Sequence, residues 1–346
     1  MRARHTCRLC AVIAAVVVVA LGCNGGGRAR DVAGDRRNRH DERDAAADAA
    51  EGAVEVPHGL AKPTATGKQA RLFARASAGA LAIDATSLYY GDSATDGLYE
   101  LPKRGGEAVR LARHAPVAGG IAIDTESITW IASPGDAVLK LPLHGGGQPT
   151  TVRDRGIYSD VATVRGDIFI TEVLGSGGAL LRVTGPTAAR LATIEGSPRA
   201  VVADGTFAYV VTSTRILRAP HVKGEVETLA TGSGFSNPQL DVEFIYFVAE
   251  VDKVRVIARV PKTGGAMTTV VHDVRDEAIE LEAGELFFFD AARPQLRAVR
   301  SRGGNARVVL EDERLSTGTA IAADATTVYV AVGAGESGAI LAVDRR

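Results

Sequence analysis

A repeat of about 40 residues constrains the fold of this chain more than any other feature of its sequence. The motif at residues 81–90 recurs at 121–130, 201–210 and 321–330, and weaker copies centre on Phe169, Tyr246 and Phe287. Its ninth position falls at 89, 129, 169, 209, 246, 287 and 329, which makes seven units. That position is aromatic in every copy except Thr129, which Trp130 follows. We interpret these aromatic residues as packing between units.

Each unit contains strand signals, and the clearest copies contain four. In the first unit they fall at residues 80–83, 87–91, 97–101 and 107–112, rich in β-branched, aliphatic and aromatic residues and separated by Gly, Pro and Asp. Four strands in roughly 40 residues, repeated evenly, predict an all-β fold, a seven-bladed β-propeller with four-stranded blades. A helical solenoid would need a 3.6-residue period, and a β-sandwich would not repeat so evenly.

A second motif supports the same period and bears on how the ring closes. The sequence Leu-Pro-Lys-Arg-Gly-Gly at 101–106 returns in related form at 141–146, 260–265 and 299–304. The last unit lacks its fourth strand, whereas residues 69–75 resemble the fourth strands at 107–113 and 188–192. We therefore predict that this N-terminal strand completes the last blade and removes an open edge.

The two motifs together resemble those of bacterial exported propellers of the NHL and YWTD-like type, which include lipoproteins with Pro-Lys-x-Gly-Gly turns. The resemblance covers residues 67–346. It implies a propeller in an exported protein, and it specifies no activity, because one fold hosts many functions.

The first 23 residues predict export from the cytoplasm. A basic start and a short uncharged run are typical of a signal peptide, here residues 1–22. The sequence Ala-Leu-Gly-Cys that ends at Cys23 resembles a bacterial lipobox, which implies cleavage before Cys23 and acylation of its sulfur; a plain signal peptide cut nearby is the alternative. Asn24 then favours the outer over the inner membrane. Cys7 and Cys10 have CxxC spacing but leave with the signal peptide.

Residues 23–66 have the composition of a disordered, charged tether, with basic and acidic residues mixed and few aliphatic residues beyond Ala. The predicted organisation is therefore a signal peptide at 1–22, a lipidated tether at 23–66 and a propeller at 67–346. The formal net charge of −1 argues against a nucleic-acid partner held by bulk electrostatics.

The sequence contains no nucleophile elbow, no His-Glu-x-x-His and no P-loop. We accordingly predict no catalytic residue, no metal and no cofactor. Aspartates recur in the turn after the first strand, at Asp84, Asp124, Asp204 and Asp324. They could form a ring of metal ligands, but their place in a turn favours Asx turns, in which the carboxylate bonds backbone amides.

Candidate binding residues are those that lie between the fourth strand of one blade and the first strand of the next. They are Arg113, His114, Asp154, Arg155, Tyr158, Asp160, Phe235, Asn237, Arg275, Asp276 and Arg314, with Glu277 beside them. This mixed polar rim favours a monomeric, non-catalytic binding or scaffold module for an envelope protein or glycan. The alternatives are a hydrolase or lyase acting on a lactone or saccharide at the channel mouth, and a structural subunit of an envelope machine.

Overall fold

The computed structural model describes residues 53–54, 68–113, 117–132, 134–144 and 147–345. The predicted signal peptide, Cys23, most of the predicted tether and His114 lie outside these residues. Within the described ranges, no helix is long and apolar enough to cross a membrane.

The described residues form short strands and two 3₁₀ helices. In chain order the strands are β1 (Ala53–Val54), β2 (Arg71–Arg75), β3 (Ala78–Ile83), β4 (Ser87–Asp92), β5 (Gly97–Pro102), β6 (Ala108–Arg113), β7 (Val117–Ile123), β8 (Ser127–Ala132), β9 (Ala137–Pro142), β10 (Thr150–Asp154), β11 (Tyr158–Val164), β12 (Asp167–Leu174), β13 (Gly177–Thr184), β14 (Thr187–Ile194), β15 (Pro198–Ala203), β16 (Phe207–Thr212), β17 (Arg215–Pro220), β18 (Glu227–Thr231), β19 (Ser233–Leu240), β20 (Phe244–Val251), β21 (Val254–Pro261), β22 (Thr268–His272), β23 (Val274–Glu282), β24 (Glu285–Asp290), β25 (Gln295–Arg300), β26 (Arg307–Glu311), β27 (Gly318–Ala323), β28 (Thr327–Val332) and β29 (Ala339–Asp344). The 3₁₀ helices are η1 (Glu313–Thr317) and η2 (Gly335–Ser337).

These strands form seven antiparallel sheets, which are the blades of the propeller. Blades 1 to 6 are β3–β6, β7–β10, β11–β14, β15–β18, β19–β22 and β23–β26. Blade 7 combines β27, β28 and β29 with β2, which pairs antiparallel to β29. Two residues of the predicted tether, β1, pair with the outer edge of β6 in blade 1. The predicted seven-bladed propeller is confirmed.

The blades form a closed ring around their first strands. The first strand of each blade lies against the first strand of the next, and β27 of blade 7 lies against β3 of blade 1. Each junction between neighbouring blades holds its own cluster of buried apolar side chains. The hydrophobic core is therefore divided among the junctions, so that each blade depends on the two beside it.

The aromatic position of the repeat fills these junctions. The side chains at all seven ninth positions, Thr129 among them, are at most 2% exposed, and Trp130 is completely buried. The interpretation of this position as packing between blades is confirmed. The six aromatic side chains at this position each remove a large apolar area from water, which stabilises the contact between neighbouring four-stranded sheets.

Candidate binding face

The two ends of the ring differ in which loops they carry. Because neighbouring strands in a blade are antiparallel, the loops between blades and the loops from second to third strands lie at one end, here called the upper face. The backbone N–H of Phe235 at the start of blade 5 donates to the Ser213 carbonyl of a second-to-third loop at 3.1 Å, which joins the two kinds of loop. The opposite end, the lower face, carries the repeated aspartate turns.

The upper face contains a pocket of about 560 Å³ between blades 6 and 7. Two of the predicted rim residues, Arg275 and Arg314, line it together with Glu277. The remaining walls come from the end of η1, the start of β27 and the loop after β28. Arg275 and Arg314, two of the predicted rim residues, therefore lie together at one open pocket.

Arg275, which lines this pocket, is held by several contacts. Its guanidinium donates to the carbonyls of Leu315, Ser316 and Gly318 at 2.8, 3.2 and 3.0 Å, and to the Glu277 carboxylate at 3.0 Å. It also lies over the Phe289 ring, 5.1 Å from the centroid. These contacts use the carbonyls that the end of η1 leaves without helical partners, so Arg275 fixes the loop that forms the pocket wall.

Arg314 is oriented by a second carboxylate. Its Nε and Nη2 donate to the two oxygens of Asp312 at 2.9 and 2.6 Å, and Asp312 also accepts from the Arg314 backbone N–H, capping η1. The hydrogen bonds from Arg314 lower the pKa of Asp312, and the same pair raises the pKa of Arg314. The Arg314 side chain remains 39% exposed, so a charged and pre-oriented guanidinium faces solvent at the pocket.

The rest of the lining is small and polar. Hydroxyl side chains come from Ser316, Thr317, Thr319 and Ser337, and none of the described residues that line the pocket is aromatic. The Thr317 hydroxyl accepts from the Gly333 N–H at 3.0 Å, which ties the wall from η1 to the loop after β28. The pocket therefore offers both charge signs and several hydroxyl groups on a braced frame.

A second group of predicted rim residues meets at the junction of blades 5 and 6. Asp276 accepts a hydrogen bond from Ser236, and its backbone carbonyl accepts from the Asn237 amide at 2.5 Å. Arg255 pairs with the Asp276 carboxylate at 2.5 Å. Asn237 is 1% exposed and has a φ of 49°, because β19 bulges there. Asn237 and Asp276 thus connect two blades, and Asn237 does not reach solvent.

Three other predicted rim residues are buried in first strands. Tyr158 and Phe235 are 4% and 0% exposed and pack into the junctions of blades 2 and 3 and of blades 4 and 5. Asp160 is 2% exposed, and its Oδ2 accepts from the Val201 N–H at 2.9 Å. Burial raises the pKa of Asp160 to about 7. These side chains hold first strands together and do not form a rim.

The remaining predicted rim residues lie apart from the pocket. Asp154 and Arg155 are exposed neighbours with 4.0 Å between the Arg155 Nε and an Asp154 oxygen. Arg113 is exposed at the end of β6, and His114 follows it outside the described residues. None of the three described residues lines the pocket between blades 6 and 7.

The lower face confirms the Asx-turn interpretation of the repeated aspartates. Asp84 Oδ1 accepts from the backbone N–H groups of Thr86 and Ser87, both at 2.7 Å. The same pair of bonds recurs at Asp124, Asp204 and Asp324, and also at Asp241. Among the residues that the structure describes, no group of three metal-ligating side chains could hold an ion.

The same aspartates also bind cations of the next blade, which the sequence reasoning missed. Lys103 of blade 1 lies 2.9 Å from Asp324 of blade 7, and Lys262 of blade 5 lies 3.0 Å from Asp204 of blade 4. Both lysines stand at the third position of the second motif. Because the two motifs recur with the same period, their spacing was the signal that could have predicted these aspartate–lysine pairs.

Neither a protein-family model nor a curated protein matches this sequence. Solved structures match it at the level of the fold. The WD40 β-propeller domain of Doa1 is 11% identical, with 80% of this chain and 97% of that chain covered and a TM-score of 0.60. An oligogalacturonate lyase from Vibrio parahaemolyticus is 11% identical over 81% and 90% of the two chains, also at 0.60. The computationally designed Ika8 protein is 11% identical over 78% and 96%, at 0.54.

At these identities the likeness defines the class of protein, a seven-bladed β-propeller, and says nothing of ligand or activity. A WD40 domain, a lyase and a designed protein share this fold.

Proposed function

We propose that this protein is a non-catalytic binding module, carried on a lipid-anchored tether in the bacterial cell envelope, and that its upper face binds a protein partner at the pocket between blades 6 and 7. The observation that carries the proposal is the pair of pre-oriented arginines, Arg275 and Arg314, beside Glu277 in that pocket. Arginine is enriched at the centres of protein interfaces, and a braced site loses little conformational entropy on binding.

The lining favours a protein over a glycan. Small-molecule sites use mostly apolar and aromatic walls to hold a ligand. The described residues that line this pocket instead supply hydroxyl groups, two arginines and a carboxylate, and none of them is aromatic. Mixed charge of this kind suits the polar rim and charged pairs of a protein interface.

Charge reversal at the pocket tests the binding proposal. A photo-crosslinking amino acid at the exposed Ser316 position should capture a partner in intact cells, and Arg314→Glu should reduce that capture at least about tenfold, the effect of an interface hot spot. Arg302→Glu, an exposed arginine on the lower face, is the matched control and should leave capture unchanged. Equal capture by Arg314→Glu and the parent would overturn the proposal, and a saccharide- or lactone-cleaving activity lost in Arg314→Glu would support the enzyme alternative instead.

The anchor is tested separately at Cys23. The lipobox resemblance implies that Cys23→Ser blocks acylation, so the protein should move from the membrane fraction to the soluble fraction after cell fractionation. A partition that is the same for Cys23→Ser and the parent would contradict the anchor while leaving the binding proposal intact.

A further inference from the structure

We propose that the junction between blades 2 and 3 binds a small oxyanion, a molecule carrying a phosphate or carboxylate group, in a cavity between Lys140 and Arg153. The cavity measures about 280 Å³ and opens toward the lower, outer side of the ring. It is separate from the pocket of the proposed function.

A short turn creates this cavity. In blade 3 the third and fourth strands are joined by residues 185–186 alone, since Thr184 pairs directly with Thr187. The corresponding connections are longer in blades 1 and 5, residues 103–107 and 262–267, and each sends a lysine onto the preceding blade. Gly185 and Pro186 send no such side chain toward blade 2, and the space that a longer turn would fill is left open.

Lys140 stands at a position that carries an arginine in three other blades. It lies opposite Thr129, the ninth position of the repeat, just as Arg182, Arg218 and Arg259 lie opposite theirs. Each of those arginines donates to a carbonyl in the turn of the next blade, at 2.7, 2.6 and 3.0 Å. Within the part of the chain that the structure describes, the Lys140 ammonium forms neither a hydrogen bond nor an ion pair.

Arg153 supplies the second cation. It is partly buried in the cavity wall, where β10 shifts register against β9, and its guanidinium contacts the Tyr158 hydroxyl. Its Nε is buried and has no hydrogen-bond partner within the described part of the chain. Among the described residues Arg153 forms no ion pair, and no carboxylate lines the cavity.

Two partly buried cations that line one cavity, with no carboxylate in its described lining, give up part of their hydration and create a positive potential that favours an anion. An oxyanion between them would restore the lost interactions through charge-assisted hydrogen bonds, with the guanidinium binding two oxygens and the ammonium acting as a point charge. Since the volume lies near the lower limit for small-molecule sites, the ligand would be of about the size of a monosaccharide phosphate or a small polycarboxylate.

The test titrates the full-length protein with sodium phosphate and, separately, with sodium citrate, against sodium chloride at equal ionic strength. Binding is followed by the thermal midpoint and by the emission of Trp130, the single tryptophan of the chain, which lies in blade 2. We expect one of the two oxyanions to raise the midpoint beyond the chloride reference, which also identifies the preferred group. Lys140→Met and Arg153→Met should each weaken the dissociation constant about tenfold or more.

Arg302→Met, which removes an exposed lower-face cation, is the control and should bind like the parent. If Arg153→Met fails to fold, Lys140→Met decides the outcome, because the Lys140 ammonium has no hydrogen bond or ion pair to lose among the described residues. The proposal is overturned if neither oxyanion acts beyond ionic strength on the parent, or if Lys140→Met and the parent bind it equally.

Discussion

At the scale of single residues, the pKa of aspartate is shifted in opposite directions at different positions in this ring. Burial alone would raise the pKa of Asp84 and Asp204, but the hydrogen bonds that each accepts from two backbone N–H groups outweigh it and lower the pKa. Asp160 is fully buried, so desolvation outweighs the hydrogen bonds from the Val201 and Val161 backbone N–H groups and its pKa rises to about 7. Asp84 and Asp204 are only partly buried, so the extent of burial decides the direction of the shift.

The raised pKa of Asp160 therefore predicts that the free energy of unfolding falls as the pH rises. Between about pH 4 and 7 the unfolded chain has lost the Asp160 proton while the folded chain keeps it, so stability declines across this window and stays low above it. A raised pKa of this size corresponds to a loss on the order of 4 kcal/mol. Asp160→Asn, which mimics the neutral acid, should be more stable than the parent at pH 8 and similar at pH 4 in urea unfolding.

The exposed Asp154→Asn serves as the control and should not change this pH dependence. A stability difference between Asp160→Asn and the parent that is the same at pH 4 and pH 8 would contradict the prediction. The lower-face aspartates act in another window: since their pKa values are lowered, they contribute stability above about pH 4 and lose it as the pH falls further.

At the scale of elements, the loop after β28 is fitted closely to the start of blade 1. The Ala76 N–H donates to the Gly338 carbonyl at 3.1 Å, and the Gly335 N–H donates to the Ser77 hydroxyl at 3.0 Å. A Cβ on Gly338 would lie 2.5 Å from the Ala76 carbonyl oxygen and 2.7 Å from the Ser77 Cα. Both are backbone atoms, so only a shift of the main chain could make room.

Gly338→Ala should therefore destabilise the protein by about 1–3 kcal/mol, the usual cost of overpacking. Its φ of −62° suits alanine, so backbone strain does not add to the effect. Gly147→Ala is the matched control, because Gly147 is exposed and a Cβ there meets nothing within 4 Å. Denaturant midpoints measure the stability of both variants. An equal effect of the two substitutions would show that the close approach to Ala76 does not affect stability.

The repeat predicts the elements well because each strand carries its own local pattern. In the first unit the predicted strand 87–91 is observed as Ser87–Asp92, and 97–101 as Gly97–Pro102. First strands are less accurate at their upper ends: 80–83 is observed as Ala78–Ile83. There the pattern of apolar residues gives way to small and polar ones while the backbone pairing continues, so the sequence signal ends before the strand does.

The candidate site is harder to predict for the same reason. Tyr158 and Phe235 look like loop residues, yet they lie near the start of β11 and β19 and pack into blade junctions. Whether such a side chain is buried depends on the neighbouring blade, which no local pattern reveals. Arg275 and Arg314 are far apart in sequence and meet in one pocket because η1 turns back on β23. That geometry depends on tertiary contacts alone.

At the scale of the whole molecule, the ring joins its two ends through one strand. β2 provides the outer strand of blade 7, and its Phe73 ring packs 5.0 Å from the Tyr329 ring, in the apolar cluster shared by blades 7 and 1. Since every blade is stabilised by its neighbours at the junctions, weakening one junction should lower the stability of blades that β2 does not touch.

Deleting residues 67–76 tests this coupling. The deletion removes the buried Phe73 and exposes the edge of β29, and the loss of one such buried ring alone costs about 3–5 kcal/mol. We expect the thermal midpoint to fall by roughly 10 °C for a ring of this size. Trp130 fluorescence follows unfolding in blade 2, two blades away from the deletion. A lower midpoint there shows that the whole ring is destabilised and not only blade 7. Removing ten residues of the predicted tether, 36–45, is the control of equal length and should leave the midpoint unchanged. If the 67–76 deletion melts within a degree or two of the parent, β2 does not hold the ring together.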